Sequence, residues 1–66
     1  MRKVFIGDFV ETIHNVSGFL TEVRRGYDDG VAFIATSDMC TFYCPISDLK
    51  NAVYAGEIKE PLRKKG

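Results

Sequence analysis

Apolar residues fall in short runs along this chain, each closed by glycine, proline or a small polar residue, which is the pattern of brief strands joined by tight turns. The clearest stretch is central. Residues 18–25, Gly-Phe-Leu-Thr-Glu-Val-Arg-Arg, and residues 31–36, Val-Ala-Phe-Ile-Ala-Thr, predict two strands around Gly26-Tyr27-Asp28-Asp29-Gly30. The Asp-Gly step there tolerates the positive φ that tight hairpins need. Before them, residues 3–13 predict a first strand kinked or bulged at Gly7, followed by the polar connector His14-Asn15-Val16-Ser17. After them, Ser37-Asp38 turns the chain into a fourth strand over residues 39–44, which stops at Pro45 because proline cannot donate to a ladder. Residues 46–52 predict one helical turn, with Ser47 and Asp48 capping backbone amides and with Ile46 and Leu49 facing inward. Val53-Tyr54-Ala55 then forms a short closing strand. The predicted class is all-β, with five short strands and a helical turn before the last.

The third strand, residues 31–36, is apolar on both faces, so it is expected to be buried on two sides or covered by a partner. In the fourth strand Tyr43 points opposite Phe42 and Cys44, and either face can be the buried one. If Phe42 faces the core, Met39, Thr41 and Tyr43 form an exposed docking strip. A chain of 66 residues holds one domain. Folding removes only about 60% of the surface of so small a chain from water, so the core is thin. Phe5, Phe9, Phe19, Phe33 and Phe42 are the expected bulk of it. A core this small favours self-association as an added source of stability.

Several classes of function are disfavoured by what the sequence holds. The opening apolar run breaks at Gly7-Asp8, too early for a signal peptide, and no run approaches a bilayer span, so the chain reads as soluble and cytoplasmic. Cys40 and Cys44 in one strand would lie about 13 Å apart at ~3.3 Å per residue, beyond disulfide reach, and they read as two small thiols. With His14 they make three candidates at most and lack the Cys-x-x-Cys spacing of a structural zinc site, so no metal or cofactor is expected. The net charge is zero, yet residues 1–57 carry five basic and eight acidic side chains while residues 58–66 carry four basic and one acidic. The expected organisation is a domain over residues 1–57 and a basic, flexible tail over residues 58–66.

The pieces Gly7-Asp8-Phe9-Val10, Gly18-Phe19-Leu20 and Tyr43-Cys44-Pro45-Ile46-Ser47-Asp48-Leu49 resemble the small Src-homology-3-like barrels of KOW and related modules. In those modules Gly-Asp-x-Val opens the first strand and a proline-led helical turn precedes the last. The resemblance spans residues 7–49 and implies a five-stranded barrel. KOW modules bind RNA or ribosomal and transcription proteins, usually through a basic loop, whereas the corresponding connector here, residues 14–17, is uncharged apart from His14. The type II dihydrofolate reductases are similar in layout, but their Val-Gln-Ile-Tyr segment before the proline is replaced by Thr41-Phe42-Tyr43-Cys44. Their folate and cofactor residues therefore do not carry over.

Three functions compete on this reading. The leading one is a non-catalytic binding or adaptor module for protein that also associates with itself as a dimer or tetramer. Its candidate contacts are Tyr27, Tyr43, Tyr54 and Met39, with Arg24 and Arg25 beside the hairpin turn. Tyrosine offers flat contact area at low entropic cost. The second is a nucleic-acid module using Arg24, Arg25 and the tail residues Lys59, Arg63, Lys64 and Lys65. Cross-turn pairing of the arginines with Asp28 and Asp29 accounts for them equally well. The third is a small oligomeric enzyme with its site at a symmetry axis. It would have His14, Tyr43 and Glu11 to act with, and the neighbours of His14 in sequence make no triad.

Overall fold

A computed structural model describes residues 1–26 and 30–61 of the chain. It holds six strands: β1 (Arg2–Val4), β2 (Phe9–Glu11), β3 (Ser17–Arg24), β4 (Val31–Ala35), β5 (Thr41–Pro45) and β6 (Ala52–Tyr54), with one 3₁₀ turn (Ile46–Asp48) before the last. The all-β class and the helical turn agree with the sequence. The strands β2-β3-β4-β5 form an antiparallel sheet in that order, while β1 and β6 pair in parallel as a separate two-stranded sheet, and the two are not joined into a closed barrel.

The first predicted strand is divided because Phe5-Ile6-Gly7-Asp8 makes a complete turn. Asp8 N donates to Phe5 O at 3.0 Å, and Phe5 N donates to Asp8 Oδ2 at 2.8 Å. Gly7 sits at the third position with φ +99°, where a side chain would be strained. The turn sends β1 to one sheet and β2 to the other. Between β2 and β3, the buried Thr12 organises the loop: its hydroxyl donates to Val16 O at 3.0 Å and accepts from His14 N at 3.2 Å. The polar loop thus satisfies its own backbone groups.

In β3 the inward positions are Gly18, Leu20 and Val23, a spacing of two and then three. A bulge absorbs the extra residue: Leu20 opposes Ile34 and Glu22 opposes Phe33, leaving Thr21 unpaired in register. Thr21 Oγ1 donates to Phe33 O at 3.0 Å across the irregularity. Bulging therefore keeps Val23 in the core where strict alternation would turn it out.

The core is Val4, Val10, Leu20, Val23, Ala32, Ile34, Cys44, Leu49 and Ala52, with Phe42, Ile46, Tyr54 and Ile58 packed around it. This corrects the expectation of a ring-built core, since none of the five phenylalanines is buried. The cause is parity. Val10, Gly18, Leu20, Ala32 and Ile34 hold the inward positions, so Phe9, Phe19 and Phe33, one residue away from them, must face out. β4 is correspondingly buried on one face only; Val31, Phe33 and Ala35 are half-covered by neighbours on the other. Ile46 and Leu49 turn inward as expected, but no side chain caps the 3₁₀ turn, because its N-cap position is Pro45, which carries no hydrogen-bonding side chain.

Residues 58–61, the start of the stretch expected as a tail, lie along the end of β3. Lys59 N donates to Val23 O at 2.8 Å, Arg25 N donates to Lys59 O at 2.7 Å, and Ile58 packs on the core. Tyr27, Asp28 and Asp29, and Arg63, Lys64 and Lys65 of the tail, lie outside the described residues. Among the described residues no helix is long and apolar enough to cross a membrane.

Candidate docking surface

Strand register determines what the outer face of the four-stranded sheet displays. One row across it reads Phe9, Phe19, Ala35 and Thr41; the next reads Glu22, Phe33 and Tyr43; the third reads Arg24, Val31 and Pro45. Phe9 is 48% exposed, Phe19 56% and Tyr43 66%. Phe9 and Phe19 meet edge to face with centroids 5.5 Å apart, and Phe33 and Tyr43 meet at 5.8 Å with a 42° tilt. Cross-strand ring pairs of this kind add roughly 0.2–1 kcal/mol each to the sheet, which is little return for leaving four rings in contact with water.

Two hollows lie on this face. A groove of about 540 Å³ runs between Val31, Phe33, Tyr43, Pro45 and Pro61, bordered by Arg24 and Arg25. A smaller hollow of about 310 Å³ lies against Phe9, Phe19 and Ala35. Apolar floors with a few polar groups at the rim are the general form of binding sites on small domains.

The charges bordering the groove are largely engaged. Arg24 Nη2 lies 3.0 Å from Glu22 Oε1, and its Nη1 donates to Glu60 O at 2.9 Å. Lys59 Nζ lies 3.7 Å from the same Glu22 carboxylate. One acidic group thus balances two basic ones, and Arg24 is held against its own sheet. Arg25 is exposed at the groove's edge.

The face brings together Tyr43, Arg24 and Arg25 of the residues singled out from the sequence. It does not include Met39 or Tyr54. Met39 occupies the β4–β5 turn at φ +65° and is 96% exposed, carried off the strand by the turn itself. Tyr54 belongs to the two-stranded sheet; its hydroxyl donates to Glu57 O at 2.5 Å, and burial, followed by the nearby Glu57 carboxylate, raises its pKa. Phe9, Phe19 and Phe33 are the residues sequence reasoning misplaced, having been assigned to the core. Gly18 is the signal that could have found them: a glycine beside Phe19 marks the position where two strands approach too closely for any side chain.

His14 lies elsewhere. Its Nε2 is 2.6 Å from Asp48 Oδ2, and its ring packs 5.7 Å from that of Phe42. Ile13 N also donates to Asp48 O at 3.0 Å, so the pair clips the β2–β3 loop to the 3₁₀ turn. The hydroxyl of Thr12, two residues away, is buried and committed to Val16 O. Such an exposed pair contributes about 0–1 kcal/mol. Cys40 is exposed and Cys44 buried, both free; burial and then the Asp48 charge push the Cys44 thiol pKa up. No group of three or more His, Cys, Asp or Glu among the described residues is placed to hold a metal.

No protein-family model, curated protein or solved structure matches the chain.

Proposed function

We propose that this chain is a non-catalytic protein-binding module that docks its partner on the outer face of the four-stranded sheet and also associates with itself. The observation that carries the reading is the aromatic face: Phe9, Phe19, Phe33 and Tyr43 stand on one side of a sheet whose other side faces the core. Rings displayed beside an apolar groove match the composition of protein interface centres, which are rich in aromatic side chains and poor in charge. The glycine-broken first segment, the short strands and the proline-led turn before β6 support a Src-homology-3-like reading of the layout. The groove beside Tyr43 then serves as the kind of aromatic cleft in which extended peptides dock.

Nucleic-acid binding is the second reading, favoured by the exposed rings, which are able to stack on bases. It is weakened by Arg24 and Lys59 sharing the Glu22 carboxylate and by the net charge of zero. The test is affinity capture from a cell extract with the full chain and with a Phe19→Ser, Tyr43→Ser variant, before and after nuclease treatment. Both rings are exposed, so the variant is expected to fold and melt cooperatively. The expected result is a specific protein retained by the unaltered chain, resistant to nuclease and to high salt, and lost from the variant. Equal capture by both proteins would overturn the docking face, and capture abolished by nuclease would favour the second reading.

A further inference from the structure

Of the two edges of the four-stranded sheet, that of β2 is partly engaged by the chain's own groups and that of β5 is not. On the outer edge of β2, the carbonyl of Phe9 accepts from Arg2 Nη2 at 2.8 Å and that of Glu11 accepts from Lys50 N at 2.8 Å. The extension of β3 is paired with Lys59. β5 has β4 on one side and, among the described residues, no strand on the other.

The hydrogen-bond phase of β5 shows what that edge presents. Pro45 has no N–H, and it opposes Val31, so this pair cannot exchange the two ladder bonds. Thr36 N donates to Cys40 O at 2.9 Å at the other end, confirming the alternation. Phe42 and Cys44 therefore face β4 with their backbone groups, and Thr41 and Tyr43 direct N–H and C=O away from it. None of these four groups has a partner within the described residues.

We infer that β5 pairs antiparallel with β5 of a second copy, about a two-fold axis at Phe42; this rests on the self-association in the function proposed above. With that register Thr41 opposes Tyr43 of the second copy and Tyr43 opposes its Thr41, so all four free groups on each edge are used in two exchanged pairs. The fit is self-complementary, as an isologous contact must be. The charges also permit it. Residues 39–47 carry no charged side chain, so no like charges meet across the axis. Natural edges are usually protected by lysine, bulges or covering segments, and β5 has only its terminal proline. Joining two copies makes one eight-stranded sheet. Its outer face places the Tyr43 row of one copy beside the Thr41, Ala35, Phe19 and Phe9 row of the other, lengthening the aromatic surface without a change of fold.

The test is amide hydrogen exchange on the unaltered chain at low and high protein concentration, together with sedimentation of a Thr41→Pro variant. Proline at 41 removes an N–H that the chain's own ladder does not use, so its fold is expected to survive, which the dispersion of its amide spectrum reads. The expected result is that protection of the Thr41 and Tyr43 amides rises at least about tenfold with concentration and that the proline variant is monomeric. A dimer in which both amides exchange as in an unstructured peptide would overturn the edge pairing and leave self-association to another surface. A monomer at every concentration would overturn both.

Discussion

Replacing Leu20 by alanine is expected to leave a large unfolded population at room temperature. Leu20 is 0% exposed and first among the fully buried side chains in size, opposing Ile34 in the middle of the sheet. A buried leucine-to-alanine change costs about 2–5 kcal/mol, because the lost transfer energy is joined by that of the cavity left behind. The whole chain has only ~3–10 kcal/mol to lose at the usual 0.05–0.15 kcal/mol per residue. With nine residues in the core, few neighbours are available to collapse into the gap. Urea denaturation checks this: the midpoint should fall to less than about half that of the unaltered chain. A cost under ~1 kcal/mol would mean that the sheet is packed on its other face.

Gly18→Ala is also expected to be damaging, for the opposite reason, an excess of volume. Gly18 is buried in β3, and a Cβ built there would overlap the carbonyl oxygen of Ala35, with Ala35 C and Ile34 Cγ2 each at 2.9 Å. The obstacle is mostly backbone, so relief requires β3 and β4 to separate where Phe19 opposes Ala35. Overpacking a rigid site costs about 1–3 kcal/mol and sometimes more, and here it also threatens ladder bonds. Calorimetry should show a melting temperature lower by roughly 5–20 °C, since ~1 kcal/mol corresponds to about 4–8 °C in domains of this size. A melting temperature within about 2 °C of the unaltered chain would show that the close approach is absent in solution.

These two sites also show what could be read from the chain and what could not. The antiparallel β3–β4 pair, the end of β5 at Pro45 and the turn before the last strand follow from short apolar runs and the residues that close them, so they were legible. The exposure of the phenylalanines was not. Phe9, Phe19 and Phe33 each adjoin an aliphatic residue, so alternation alone allows either face to be inside. In the structure the inward positions are taken by aliphatic and small residues, and the close approach at Gly18 is the local trace of that choice. The turn at Gly7 looked like a kink because its consequence, parallel pairing of β1 with β6, depends on residues some fifty positions later in the chain. Likewise the contact of His14 with Asp48 spans 34 positions and has no local signature. Of the candidate site, Tyr43, Arg24 and Arg25 were visible in advance. The role of Arg24 was not, since its carbonyl partner on Glu60 belongs to a segment expected to be a tail.

The proposed function divides labour between a face and an edge. In it the aromatic rows offer apolar area to a partner, and the outward backbone groups of β5 offer hydrogen bonds to a second copy. The face depends on side chains and the edge on main chain, so the Phe19→Ser, Tyr43→Ser variant and the Thr41→Pro variant should lose different partners.

Sedimentation equilibrium of the full chain, at low and high salt and with and without a mixed-sequence single-stranded oligonucleotide, tests the central claim most directly. The protein-binding, self-associating module predicted here sediments above its monomer mass of 7.4 kDa, keeps that mass at high salt and is not shifted by the oligonucleotide. A 7.4 kDa monomer that gains mass only with the oligonucleotide at low salt, as phosphate contacts require, would contradict it and make Arg25 and the basic residues after Pro61 the binding site.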